Sequence, residues 1–400
     1  MSGARSRRVL IWVQHLLGSG HLVRATVLAR ALAAAGFQVT LASGGRPVPG
    51  LTCGPARLVQ LPWVASDESF SALSGEHGQP YGGALAAARR DRLLALLHEA
   101  RPDVVMVEHF PFGRRPFRAE LLPLLQAARA LAAPPLAVVS VRDIVKRERK
   151  AGRHQEACDW IGSLFDAVLV HGDSAFLPFA HSFPLASALG SRVHHTGYVA
   201  AQSVAAAPTS AAPSIAADAA GPPRHGVIVA AGGGAAGLPL LHAAVAARAL
   251  SGHRHQPWQV FAASLAAADR ARLLTTAATQ PPGLSLHVGQ RDLAARWAGA
   301  VAAISQAGYN SAVELLAAAT PAVLVPFVGP AGESEQSVRA RAMAAAGRAL
   351  VVNEDALSPA ALAAALDALP REMPPSPVNL DGAAATARWL RQALAARPGP

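Results

Sequence analysis

Short apolar runs, each followed by a small-residue loop and a longer helical stretch, recur along this chain. Val9 to Val13 is apolar throughout, Gly18-Ser19-Gly20-His21 forms the loop, and Leu22 to Ala35 reads as a helix closed by Gly36, because glycine reaches the left-handed conformation in which helices commonly end. Phe37 to Ala42 is a second predicted strand. Further strands are expected at Val104 to Val107, Ala137 to Val141, Ala167 to Val170 and Val193 to Thr196, with helices around 84–100, 119–132 and 152–163. Apolar strands alternating with helices predict a parallel sheet covered on both faces.

Between Ala200 and Pro223 periodicity gives way to an Ala/Ser/Pro mixture of linker character. The alternation then restarts with a strand at Gly226 to Ala230, a loop at Gly232-Gly233-Gly234, a helix at Leu238 to Leu250, and strands at Gln259 to Ala263 and Leu284 to Val288. The expected fold is α/β, with two Rossmann-like, doubly wound parallel-sheet domains. The first spans 1–199 and the second 225–380, joined by the linker 200–224, and a helical stretch in 381–400 is expected to pack back toward the first. Two such halves imply a cleft, with ligands at the carboxyl ends of strands.

Composition narrows the function. Hydrophobic residues make up 52% and charged residues 15% of the 400, which excludes extensive disorder. The net charge of +11 rests almost wholly on Arg, since Lys occurs only at 146 and 150. No aromatic-interleaved basic face or zinc spacing accompanies it, so nucleic acid is not the expected partner; attraction to anionic substrates or an acidic membrane surface is the milder reading. Cys53 and Cys158 stand far apart, as in a reducing compartment. Gln14 and His15 cut the first apolar run too short for a leader, and no run approaches a membrane span. The expected location is the cytoplasm, with peripheral contact to the inner membrane left open.

The densest chemistry lies at Ser305-Gln306-Ala307-Gly308-Tyr309-Asn310-Ser311-Ala312-Val313-Glu314, followed by Glu333-Ser334-Glu335-Gln336. A loop opening a helix offers N–H groups and a positive dipole end to a diphosphate, and Glu314 could accept both hydroxyls of a ribose. In the first loop, Gly18 and Gly20 allow a ligand near the backbone and His21 is placed as a general base; a turn capped by an imidazole is the plainer alternative. This loop does not match a dinucleotide fingerprint, and Gly232-Gly233-Gly234-Ala235-Ala236-Gly237, with the better glycine supply, lacks the Lys-Ser/Thr ending of a nucleotide-hydrolysing loop; its backbone could contact phosphate or simply form a tight turn. Glu108 and His109, ending a strand, could orient an acceptor, while Phe110, Phe112, Arg114 and Arg115 could meet an amphipathic or lipid-linked partner or simply anchor the loop. The run Arg142 to Lys150 reads as a solvated segment. No Asp-x-Asp occurs in the chain, so neither a metal nor another cofactor is expected.

Taken together, Ser305 to Glu314 with Glu335-Gln336, and the first loop and helix, resemble bacterial two-domain glycosyltransferases of family 28, the group containing the N-acetylglucosaminyltransferase that makes the lipid-linked peptidoglycan precursor. That resemblance implies the GT-B fold, with a sugar nucleotide held mainly by the second domain. By it, Glu314 would bind the ribose diol and Gly308, Asn310 and Ser311 would lie by the diphosphate. Gly233 and Gly234 would face phosphates, Gln336 and Glu335 would meet the donor sugar, and the Val288-Gly289-Gln290 backbone would read the base. The first loop is shorter than that of the peptidoglycan enzymes. Gly18 to Arg24 is closer to related UDP-sugar hydrolases of nonulosonic acid synthesis, in which the matching His activates water. The expected activity is inverting, metal-independent transfer of a sugar, N-acetylhexosamine among the options, from a UDP-sugar to an acceptor hydroxyl that could be lipid-linked. Its rivals are UDP-sugar hydrolysis and non-catalytic binding of a sugar nucleotide or nucleic acid.

Overall fold

A computed structural model describes residues 6–67, 72–146, 150, 152–201, 224–231, 237–289, 293–328, 335–373, 376 and 378–397. The chain divides into two units, one of Met1–Ala205 with Val378–Pro400 and the other of Ala206–Pro377.

Unit 1 runs β1 (Arg8–Val13), α1 (Gly20–Ala34), β2 (Gln38–Ser43), β3 (Arg57–Gln60), a small hairpin of β4 (Ala65–Ser66) and β5 (Leu73–Ser74), α2 (Gly83–Ala100), β6 (Val104–Glu108), α3 (Arg118–Arg129), β7 (Leu136–Arg142), α4 (Arg153–Leu164), β8 (Ala167–His171) and β9 (Val193–His195). Its main sheet has the order β3-β2-β1-β6-β7-β8-β9, and every pairing in it is parallel. Alternate residues of β1 enter different cores. Leu10 and Trp12 join Leu93 of α2, Leu121 of α3 and Ile161 of α4; Val9, Ile11 and Val13 join Leu22 and Leu32 of α1. A strand buried on both faces has no polar side to present, which is why these runs lack alternation. Gly36 closes α1 at φ +86° as its position required.

Unit 2 runs β10 (Val227–Ala231), α5 (Leu238–Ala247), β11 (Trp258–Ala262), α6 (Ala267–Ala278), β12 (Leu284–Val288), α7 (Ala294–Gly299), β13 (Ala302–Ser305), α8 (Tyr309–Ala318), β14 (Ala322–Leu324), α9 (Glu335–Ala345), β15 (Leu350–Val351) and α10 (Pro359–Asp367). Its sheet order is β12-β11-β10-β13-β14-β15, again parallel throughout. The last helix, α11 (Gly382–Ala395), returns to unit 1, where Ala387, Leu390 and Leu394 complete the core that α1 shares with β1.

Both sheets wind outward in two directions from a central pair of strands, β1 and β6 in one and β10 and β13 in the other. Loops leaving such a pair part to opposite faces and open a crevice at the carboxyl ends. The chemistry-bearing loops identified in the sequence after β1, β6 and β13 leave these switch points, and the glycine loop 232–236 lies outside the described residues.

One reading the sequence left open is decided here, and one expectation fails. Phe110 and Phe112 are not offered to a partner: they are 0% and 3% exposed, with Phe110 stacked on Trp160 and Phe112 edge-on to Phe179 and Phe183. Hydrophobic burial has made this loop an anchor. Nor is the start of the Arg142 to Lys150 run solvated, since Arg142 ends β7 and Asp143, Ile144 and Val145 are buried. Asp143 accepts from Ile144 N and from Tyr198 Oη, which offsets the cost of burying its charge. Among the described residues no helix is long and apolar enough to cross a membrane.

Candidate active site

In unit 1 the switch point brings together residues 87 positions apart. His21 is the second residue of α1 and Glu108 the last of β6. His21 Nδ1 lies 2.9 Å from each Glu108 carboxylate oxygen. A carboxylate only accepts, so Nδ1 carries the proton and Nε2 keeps its lone pair. Arg24, one turn further along α1, donates Nη2 to the same carboxylate. Glu108 and Arg24 have side chains 1% and 2% exposed, whereas His21 retains 13%. Of the three, the imidazole is the group a substrate can reach.

Burial, assisted by Arg114, Arg142, Arg24 and His15, pulls the His21 pKa well below the ordinary histidine value. The ring is therefore neutral at neutral pH and competent to accept a proton. His109 packs edge-on to His21 with ring centroids 5.2 Å apart. Burial likewise lowers its pKa well below the usual value, Glu108 opposing and Arg142, His21 and Arg114 reinforcing. His109 sits at φ +66°, a conformation that costs a non-glycine residue energy and tends to be kept where function requires it. Its Nδ1 is buried with no hydrogen-bond partner among the described residues. Gly113 makes room for the ring: a Cβ there would lie 2.4 Å from His109 Cδ2.

Gly18 and Gly20 are exposed around the start of α1, and a Cβ on Gly18 would meet nothing within 4 Å. Ser19 takes the N-cap position without a side-chain capping bond, and the first turn contains no acidic residue. His15 is buried and turns Nε2 to Arg46 O at 3.0 Å, a structural role.

In unit 2, Gly308 is the N-cap of α8, which carries no side-chain capping bond and no acid in its first turn. Open space surrounds Gly308 where a Cβ would stand. Asn310, Ser311 and Glu314 lie on α8 and are all half-buried. Glu314 Oε2 accepts from the indole N–H of Trp297 at 3.1 Å. Gln336, in the first turn of α9 after Glu335, accepts from Phe327 N at 3.1 Å and so ties α9 to the strand end after β14. Gly233, Gly234 and Gln290, the remaining candidates, lie outside the described residues, as do Glu333 and Ser334.

Three residues contribute without having been singled out. Arg24 follows His21 by three positions and so shares its helix face, a spacing that could have revealed it. Arg339, 1% exposed on α9, donates Nη1 to Ala307 O at 2.7 Å and fixes the backbone just before Gly308. Trp297 gave no signal, because a tryptophan in a short apolar segment reads as core.

Residues 290–380 match the family model described as the glycosyltransferase family 28 C-terminal domain. Across nearly the whole chain the fold is similar to several solved structures. The calicheamicin glycosyltransferase CalG4 aligns at 18% identity and TM-score 0.54, covering 98% of this chain and 94% of its own. Acinetobacter baumannii MurG aligns at 17% and 0.53, covering 96% and 95%. The Streptomyces sp. SF2575 glycosyltransferase SsfS6, complexed with thymidine diphosphate, aligns at 16% and 0.53, covering 96% and 99%. No curated protein sequence matches the chain.

The class is thereby defined as a glycosyltransferase with two Rossmann-like domains in the GT-B fold. Within that class, residues 290–380 are similar to the C-terminal domain of glycosyltransferase family 28.

Proposed function

We propose that this glycosyltransferase moves a sugar from a UDP-sugar to an acceptor hydroxyl, with inversion at the anomeric carbon and without a metal ion. The observation that carries the reading is the His21–Glu108 pair at the unit 1 switch point, 2.9 Å apart, with a neutral imidazole of fixed tautomer. His21 Nε2 removes the acceptor hydroxyl's proton as that oxygen attacks, and Glu108 stabilises the imidazolium that forms. His109 borders the same ring and helps to orient the acceptor.

Unit 2 supplies the nucleotide site. The N-terminus of α8, with Gly308, Asn310 and Ser311, takes the diphosphate, and Glu314 takes the ribose. Charge developing on the leaving diphosphate is met by the helix dipole and amide groups, a pre-organised stabilisation that needs no cation. Glu335 and Gln336 would approach the donor sugar. The acceptor is proposed as an alcohol. With Phe110 and Phe112 buried, their loop lends no support to a lipid-linked acceptor or to membrane contact. Free, widely separated Cys53 and Cys158 support a reducing, cytoplasmic location.

The test is UDP release from a panel of UDP-sugars, with and without a panel of alcohols and sugars as acceptors. Release that depends on acceptor, and falls about 10²–10⁴-fold in His21→Ala while calorimetric UDP affinity persists, is expected. Stoichiometric release without acceptor would make the protein a hydrolase in which His21 activates water. Unchanged turnover in His21→Ala would remove the base.

A further inference from the structure

We infer that Trp297 is a positioning residue: by holding Glu314 it makes the nucleotide site of unit 2 distinguish ribonucleoside from deoxyribonucleoside diphosphates. This rests on the reading of Glu314 as the ribose carboxylate.

Trp297 is fully buried at 0% exposure. It is fixed at both ends of its residue, with its N–H on Leu293 O at 2.9 Å and its carbonyl accepting Thr320 Oγ1 at 2.7 Å. These bonds hold the backbone, burial confines the ring, and the indole N–H, a donor only, requires a buried acceptor. Glu314 Oε2 fills that need at 3.1 Å. The bond joins α7 to α8 across β13, so the carboxylate is oriented from outside its own helix.

The position suits a nucleoside sugar. Glu314 stands five residues beyond Tyr309, the first residue of α8, a rise of about 7–8 Å. Helical side chains lean toward the N-terminus, so the carboxylate points back toward the end proposed to take the diphosphate. A carboxylate that could swing freely would settle on whichever hydroxyl a nucleotide offers. One fixed by the indole cannot compensate for a missing 2′-hydroxyl, and the lost hydrogen bond appears in full as discrimination.

The test is calorimetry of UDP and 2′-deoxy-UDP on the wild-type protein, Trp297→Phe and Glu314→Ala, with melting temperatures confirming folding. Wild type should prefer UDP by about tenfold or more. Trp297→Phe should narrow the preference to about threefold or less while still binding both, and Glu314→Ala should abolish it. Should Trp297→Phe fail to fold, Glu314→Asp withdraws the carboxylate from an intact indole and should narrow the preference in the same way. A wild type without preference, or a Trp297 variant that keeps the wild-type ratio or weakens both nucleotides equally, overturns the inference. If neither nucleotide binds wild type, or Glu314→Ala binds UDP as wild type does, the underlying nucleotide-site reading fails with it.

Discussion

Glu108→Gln should separate two jobs of one side chain. The carboxylate, 1% exposed, is shared between His21 and Arg24. Glutamine preserves shape but leaves the Arg24 guanidinium, 2% exposed, without its counter-charge. Removing one member of a buried ion pair costs about 3–5 kcal/mol, and in a domain of this size that lowers the melting temperature by roughly 10 °C. The amide can also present N–H to His21 Nδ1. That favours the tautomer protonated on Nε2, which cannot accept a proton, so turnover should fall about 10²–10⁴-fold. Adding Arg24→Met removes the stranded cation and should restore much of the lost stability, but turnover should stay low because His21 still lacks its carboxylate. Scanning calorimetry and UDP release read the two effects separately, and UDP affinity should be unchanged in both variants. Glu108→Gln within twofold of wild-type turnover, or recovery of activity in the double variant, would refute the reasoning.

Glu314→Ala should weaken UDP binding by about 1–3 kcal/mol, the value of hydrogen bonds to a charged group; calorimetry showing wild-type affinity would remove Glu314 from the site. Gly113→Ala places a methyl 2.4 Å from His109 Cδ2 and should displace that ring, costing about 1–3 kcal/mol of stability and reducing acceptor turnover while UDP binding persists. His171, buried between Ser140 Oγ at 2.8 Å and Thr196 Oγ1 at 2.9 Å, has its pKa pulled down to about 3 by burial, with Arg24 reinforcing and Glu108 opposing. Its folded pKa lies below the unfolded one, so the unfolded chain binds more protons between about pH 3 and 6.5 and stability falls as pH drops through that window. Denaturant titrations should show His171 contributing a loss of about 3 kcal/mol between pH 7 and pH 4, and His171→Gln should flatten the slope. For His21, whose pKa is also depressed, the acid limb of turnover should lie well below pH 6.5, and a limb at or above that pH would contradict a buried neutral base.

Legibility in the sequence followed the length and burial of each element. Strands buried on both faces, such as Val104–Glu108 and Val227–Ala231, are continuous apolar runs and lie within a residue of their predicted limits. The Arg57–Gln60 strand escaped because it is a sheet edge with three of its four residues exposed, leaving a pattern no different from a loop. Leu350–Val351 escaped because two residues carry no period. The helix over Ala267–Ala278 buries only Leu273 outright, so its apolar stripe is too sparse to mark one face.

The proposed catalytic arrangement was legible only as parts. Glu108 stood at the end of an apolar run, which marks the carboxyl edge of a strand, and His21 stood beyond the loop that follows another, but no local spacing relates residues 87 positions apart. Strand order relates them, because β1 and β6 are neighbours in the sheet although β2 and β3 intervene in the chain. Burial then changes the chemistry that the residue types alone suggest. Largely buried and facing Arg114 and Arg142, the His21 imidazole is held neutral rather than half-protonated near pH 6.5. Arg24, which composition would count as one more surface cation, is consumed in orienting Glu108. The excess of arginine read as attraction to anionic substrates or an acidic membrane surface is thus partly structural. Arg24, Arg89, Arg248, Arg339 and Arg348 are all buried, and Arg89 is paired with Glu120 at 2.7 Å. Net charge read from sequence overstates the field that a ligand in solution would meet, because a guanidinium buried among carbonyls and carboxylates has already directed its donors inward.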